Sequence, residues 1–440
     1  MVLDEIRKGI SQGYKVRVQW LAKRLASLLL VFILLQSSVV KSSMEPIDLT
    51  ERVRSFTRTI EFDYASWTID ALWIKNTQAT LSIPQYLDES RQRQLVEQYL
   101  DLVNQTDQIE SEIERIYSDP RIANPASKSA PLRQKAQKIK DLLSNLGPLA
   151  ESILQQQVSV ILAEQGLTLG GQPIPPVLYH VTPLPLALII SPRNIIREDM
   201  EISLLPNLPL EQIIELEKQI EKANNVSALV VPVGGIGLYP TMVMSTADLP
   251  WLSEVIAHEW THNFLTLRPL GVNYFNTPEM RTINETTASI VGKEIGRLVL
   301  ERYYPDRVLP AEVETEGKPQ SSQKNEDNTP PPFNYRAEMH ETRVNVDRLL
   351  AEGKIQEAED YMEMRRSFLW DHGYQIRRLN QAYFAFYGAY ADTPGGAAGN
   401  DPVGPAVRAL RAQSRTLSEF LNRISWVTSF DQLKQMVNNP

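Results

Sequence analysis

"VIAHEWTHNF", Val255 to Phe264, decides how the surrounding chain is read. Two of the five histidines stand four residues apart in it, and Glu259 directly follows the first. On a helix, His258 and His262 project one turn apart from the same face and can hold one ion between them. An ion that acts on a substrate needs a third protein ligand and an open position, and a carboxylate beside it can take a proton from water and pass it to a leaving group. The same five residues also fit an ordinary amphipathic helix with satisfied histidines. Chance supplies such a pattern in roughly one chain in a few hundred, so the neighbouring sequence has to discriminate.

Asp248 stands where an N-cap belongs and Pro250 fits a first turn, which predicts a helix running until Pro269. "TPEMRTINETTASIVGKEIGRLVLERYY" predicts the next helix, with Thr277 as cap and Pro278 in its first turn. This helix carries Glu285, with twenty-two residues between it and His262. Upstream, "LPLALIISPR", "MEISLL" and "VSALVVPV" read as strands and "LEQIIELEKQIEKAN" as a helix. In "GGIGLYPTMVM", Gly234, Gly235 and Gly237 permit close backbone approach before the β-favouring Met242, Val243 and Met244. From Leu184 onward the chain is therefore an α+β unit with a small mixed sheet.

The motif, with "NETTA" (Asn284 to Ala288) after it, resembles the gluzincin (HExxH…E) zinc metallopeptidases, in which a glutamate on the following helix completes the zinc shell. No later histidine comes after "HNFLTLRPLG" at metzincin spacing. The resemblance covers about 120 residues, Leu184 to Tyr304, and implies a zincin-like fold, Zn2+ held by His258, His262 and Glu285, and Glu259 activating water. It also implies an edge strand near Gly234–Met244 that pairs with an extended peptide or protein substrate. A looser likeness, to bacterial predicted aminopeptidases, extends through "RLLAEGKIQEAEDYMEMRRSFL" and "RRLNQAYFAFYGAY", although "GGIGLYP" carries no carboxylate to hold a substrate's free amine.

A developing oxyanion needs a hydrogen-bond donor from outside the motif. Tyr383 and Tyr387, four residues apart on one helix face, and His340 are the candidates, and Tyr387 is favoured by the glycine beside it and the loop beyond. An aromatic stripe at this spacing also suits a core. His180 and His372 have no partner pattern and read as surface or capped histidines.

Composition narrows the remaining classes. A net charge of -8 offers no basic stripe for phosphates, which argues against nucleic acid as a partner. The absence of cysteine excludes disulfides, thiolate ligands and a cysteine nucleophile, so a metal must use His, Asp or Glu. Arg7, Lys8, Lys15, Arg17, Lys23 and Arg24 precede the apolar run "LASLLLVFILLQSSVV", Leu25 to Val40. This pattern reads as an uncleaved membrane anchor or a signal core, and it places the bulk of the chain outside the cytoplasm.

The expected organisation is a leader and anchor or signal at 1–45, a helical region at 46–180, the catalytic core at 181–310, a flexible linker at 311–332 and a C-terminal helical region at 333–440 that completes the cleft. Within the first helical region, a long helix should end before Pro120 and a later one should break near Gly147 and Pro148. Beyond the linker, two long helices are expected to about Tyr390, then a glycine-rich stretch and a terminal helical pair. The expected activity is hydrolysis of peptide bonds by a membrane-anchored, extracytoplasmic enzyme. The competing readings are an inactive zincin-like scaffold or peptide-binding protein, and a zinc hydrolase of non-peptide bonds.

Overall fold

Two small sheets form where β-branched and aliphatic runs are cut by proline and glycine. The computed structural model describes residues 48–79, 86–118, 122, 124–308 and 333–439. The expected anchor at 1–45 and linker at 311–332 lie outside the described residues. Among those described, no helix is long and apolar enough to cross a membrane. The described residues from Val53 onward form one compact unit.

The described residues open with four helices, α1 Leu49–Thr57, α2 Tyr64–Ala79, α3 Glu89–Ser118 and α4 Pro125–Glu164. The α+β section comes next, with β1 Tyr179–Val181, β2 Leu186–Pro192, β3 Met200–Leu204, α5 Leu210–Asn224, β4 Val226–Pro232, β5 Gly235–Ile236, β6 Thr241–Val243, α6 Leu249–Leu265, α7 Pro269–Val272 and α8 Pro278–Tyr303. Six helices close the chain: α9 Tyr335–Ala351, α10 Ile355–Asp371, α11 Gln381–Tyr387, α12 Val403–Gln413, α13 Leu417–Ile424 and α14 Phe430–Asn438. The architecture is mixed α+β and mostly helical, as the periodicities predict.

In the first sheet β2 lies between β3 and β4, antiparallel to both, with Leu188 opposite Ile202 and Val230. One face of this sheet buries Ala187, Ile189, Leu229 and Val231 against Ala382 and Phe386 of α11. The second sheet has the order β1-β6-β5, parallel then antiparallel. Its strand β5 is paired on one side only, which leaves an edge.

The main core joins the N-terminal helices to the motif helix. Val96 and Tyr99 of α3 and Ile153, Leu154 and Val158 of α4 share one cluster with Leu252, Ile256 and Trp260 of α6, Val291, Ile295 and Val299 of α8, and Val407, Phe420 and Leu433 of α12–α14. The helical region is thus packed on the α+β section through α4.

Three sequence expectations differ from the structure. First, α4 does not break at Gly147–Pro148 but runs through both Pro131 and Pro148. An interior proline costs about 3 kcal/mol, whereas each large aliphatic side chain fully buried returns about 1.5–3 kcal/mol. Ile153, Leu154, Val158 and Leu162, all fully buried beyond Pro148, outweigh the lost hydrogen bond. Second, the expected long helix from Ile355 to Tyr390 is two helices, because Gly373 turns the chain at φ 89° and the Asn380 side chain caps α11 by accepting from Tyr383 N–H at 3.0 Å. Third, the terminal pair is a trio, with Thr416 and Ser429 capping α13 and α14.

Candidate metal centre

The Asp248 carboxylate accepts from Trp251 N–H and Pro250 occupies the first turn, so α6 starts where the sequence requires. Its residues Ile256, Ala257, Trp260 and Phe264 are buried in the core, which aims His258 and His262 toward the opposite side and α8. Thr277 caps α8 by accepting from Met280 N–H at 3.3 Å, and Glu285 lies two turns further on.

The two helices approach closely because α8 offers glycine where α6 crosses it. A Cβ on Gly292 would stand 2.9 Å from Glu254 O and 3.0 Å from His258 Cβ. A Cβ on Gly296 would stand 2.9 Å from both Glu254 Cα and N. This G-x-x-x-G spacing in "SIVGKEIGR" is a signal that the sequence carried and that the reading of the motif alone passed over.

The clasp brings His258, His262 and Glu285 together. The two Nε2 atoms are 3.1 Å apart, and Glu285 Oε2 lies 3.6 Å from each. Zinc bonds of about 2.0–2.1 Å place neighbouring tetrahedral ligand atoms about 3.3–3.4 Å apart, so the triangle has the size of one face of such a shell. The Nδ1–H of His262 donates to Asn284 Oδ1 at 2.8 Å, which turns the Nε2 lone pair toward His258 and Glu285. On Glu285, Oε1 accepts from the Tyr274 hydroxyl at 2.5 Å, while Oε2 is buried without a hydrogen-bond partner. Two facing imidazole lone pairs and an orphaned carboxylate oxygen call for positive charge between them, as a proton or as a metal ion. Two nitrogens and one oxygen form a donor set suited to zinc, so the residues present fit the ion.

Charges in the metal-free centre reflect the same demand. Burial opposes a proton on His262, yet the Glu285 carboxylate beside it prevails and brings the imidazole up to about 9. Burial pushes the Glu285 carboxyl up, and His262 and His258 reverse this and hold it well below the usual carboxylate range. A metal ion must therefore displace a proton at neutral pH. Binding of one Zn2+ at pH 7–8 is expected to release about one proton, read as buffer-dependent heat in titration calorimetry. Affinity should rise with pH and level off only above about 9, where His262 without a metal has lost its proton. Heats independent of the buffer would contradict this.

Glu259 is buried on α6 and is not one of the three converging ligands. Burial raises its carboxyl, more than His258 and His262 lower it. Strand β5 roofs it: a Cβ on Gly235 would lie 2.6 Å from Glu259 Oε1, and one on Gly237 would lie 2.8 Å from His262 Cβ. The glycines anticipated for close approach are thus where the backbone passes close to Glu259 and His262.

The centre opens into a cleft of about 1080 Å³ lined by β5, α6, α8 and the segment from Tyr383 to Ala397. Tyr383 and Tyr387 both line it, their rings 4.5 Å apart, and the Tyr383 and Tyr335 hydroxyls are hydrogen-bonded at 3.1 Å. The ring beside His258, at 6.3 Å, belongs to Tyr390, which the sequence reading did not single out. Burial, and then the Glu285 charge, raise the Tyr390 phenol well above its ordinary value, so it remains a donor. Arg281, one turn before Glu285, also lines the cleft and pairs with Glu198 at 3.1 Å.

The other histidines stand apart from the centre. His340 lies on α9 and is not among the residues lining the cleft. His180 hydrogen-bonds Glu151 at 3.1 Å in a network with the buried Lys75, and His372 donates to Phe368 O at 2.8 Å and stacks on Phe333. Compared with family models, with curated proteins and with solved structures, the chain gives no match.

Proposed function

We propose that the protein is a zinc-dependent peptidase of gluzincin type, with a zincin-like arrangement of β5, α6 and α8. The observation that carries the reading is the buried, unpartnered Glu285 Oε2 set 3.6 Å from both histidine Nε2 atoms. When bound, a zinc ion supplies Lewis acidity, which polarises a carbonyl and acidifies water.

This chain's residues supply the rest. His258, His262 and Glu285 hold the ion. Glu259, whose pKa is raised by burial, takes a proton from water at its carboxylate and delivers it to the departing amine. Strand β5, which has a strand neighbour on one side only, lines the cleft beside Glu259, and its open edge is where an extended peptide would align as a further strand. Tyr390 donates to the carbonyl oxygen as charge develops there. The Leu25–Val40 run, with cationic residues before it, supports tethering to a membrane with the cleft on the extracytoplasmic side.

The reading is tested by stripping the full chain with a chelator, restoring Zn2+ and measuring cleavage of a panel of peptides. Cleavage that disappears with the metal and returns with it is the expected result. A protein that binds no zinc, or cleavage indifferent to the chelator, would overturn the proposal. The donor assignment has its own test. Tyr390→Phe should lower kcat by about 10²–10³-fold, the cost of losing one oxyanion donor, with KM little changed, whereas Tyr387→Phe should cost less than tenfold. The reverse ranking would return the role to Tyr387.

A further inference from the structure

Glu285 presents its two oxygens to different partners, and the difference is imposed from outside the motif. Oε2 faces the histidines, and Oε1 is occupied by Tyr274 at 2.5 Å. Tyr274 belongs to the short connection between α7 and α8, which is tied down locally: Tyr274 N–H donates to Gly271 O at 3.1 Å and the Asn273 side chain donates to Pro269 O at 2.7 Å. Its ring meets His262 edge-on at 6.4 Å and the exposed Phe275 edge-on at 4.7 Å, and both Tyr274 and Phe275 line the cleft.

A carboxylate can give a cation one oxygen or two. Two would fill the position that a catalytic centre has to leave open, because three protein ligands plus one exchangeable position make up a four-coordinate catalytic shell. We propose that Tyr274 is a positioning residue that, by holding Oε1, restricts Glu285 to one-oxygen ligation and so keeps the fourth coordination position open. This rests on the metal reading above. Tyr274 does not touch the reacting atoms; it acts through Glu285.

The experiment uses the full chain, wild type and Tyr274→Phe, stripped of metal and reconstituted separately with Zn2+ and Co2+. In the wild type, zinc X-ray absorption should fit a single carboxylate oxygen, and Co2+ should give the intense visible bands of four-coordination. In Tyr274→Phe the Co2+ bands should weaken as coordination number rises. Zinc affinity should fall about 10–100-fold, the usual cost of removing a group that orients a ligand. A two-oxygen carboxylate in the wild type, a measurement that needs no variant, would overturn the proposal. So would identical Co2+ spectra and affinities within twofold in a variant whose circular dichroism matches the wild type. A wild type that takes up no metal would instead bring down the metal reading itself, which keeps the two failures distinct.

Discussion

Glu259→Gln is expected to keep its zinc and to lose about 10²–10⁴-fold in kcat, the range contributed by a positioned general base. The substitution is nearly isosteric, and Glu259 is not one of the three converging side chains, so the metal shell should be unaffected. Its carboxylate lies close under the Gly235 and Gly237 backbone, which limits where the side chain can go. An amide there cannot accept and deliver the proton. Elemental analysis and turnover of a peptide cleaved by the wild type provide the check. Zinc lost together with activity would mean that Glu259 supports the metal, and turnover within tenfold of wild type would mean that it is not the base.

Gly292→Val should separate the two helices that carry the ligands. The added Cβ would stand 2.9 Å from the Glu254 carbonyl oxygen, which is backbone and cannot rotate aside, and the branched methyls would press on His258. Overpacking of this kind costs about 1–3 kcal/mol, and a ligand displaced by even part of an ångström binds its ion poorly. The expected outcome is a lower denaturation midpoint for the metal-free protein and zinc affinity reduced by at least about tenfold, the lower end of what lost ligand orientation costs. An unchanged midpoint with affinity within twofold would show that α8 can withdraw without disturbing the centre.

The motif helices were legible because their signals are local. Asp248, Pro250, Thr277 and Pro278 each act within one turn, and the i, i+4 histidines need only α-helical geometry. Glu285 could be picked out by the resemblance of its "NETTA" setting to the gluzincins, whereas its convergence on the histidines depends on Gly292 and Gly296 meeting α6. What escaped the sequence reading is non-local. Tyr390 reaches His258 across more than a hundred residues of chain, and nothing in "FYGAY" marks Tyr390 over Tyr387. Tyr274 lies in a loop with no periodicity to constrain it. At α4 a strong local rule about proline lost to tertiary burial. At Gly373 a single left-handed residue ended a pattern that otherwise continued.

The position of His262 in the last turn of α6 has an electrostatic consequence. Aligned peptide dipoles leave the C-terminal end of a helix with roughly half a negative charge, worth about 0.3–1 kcal/mol to a nearby cation. That attraction comes from carbonyl groups and not from any ligand side chain. Alanine at His258 or His262 would remove bonds to an ion yet leave this field in place. The helix end therefore favours cations over anions whatever side chains it carries.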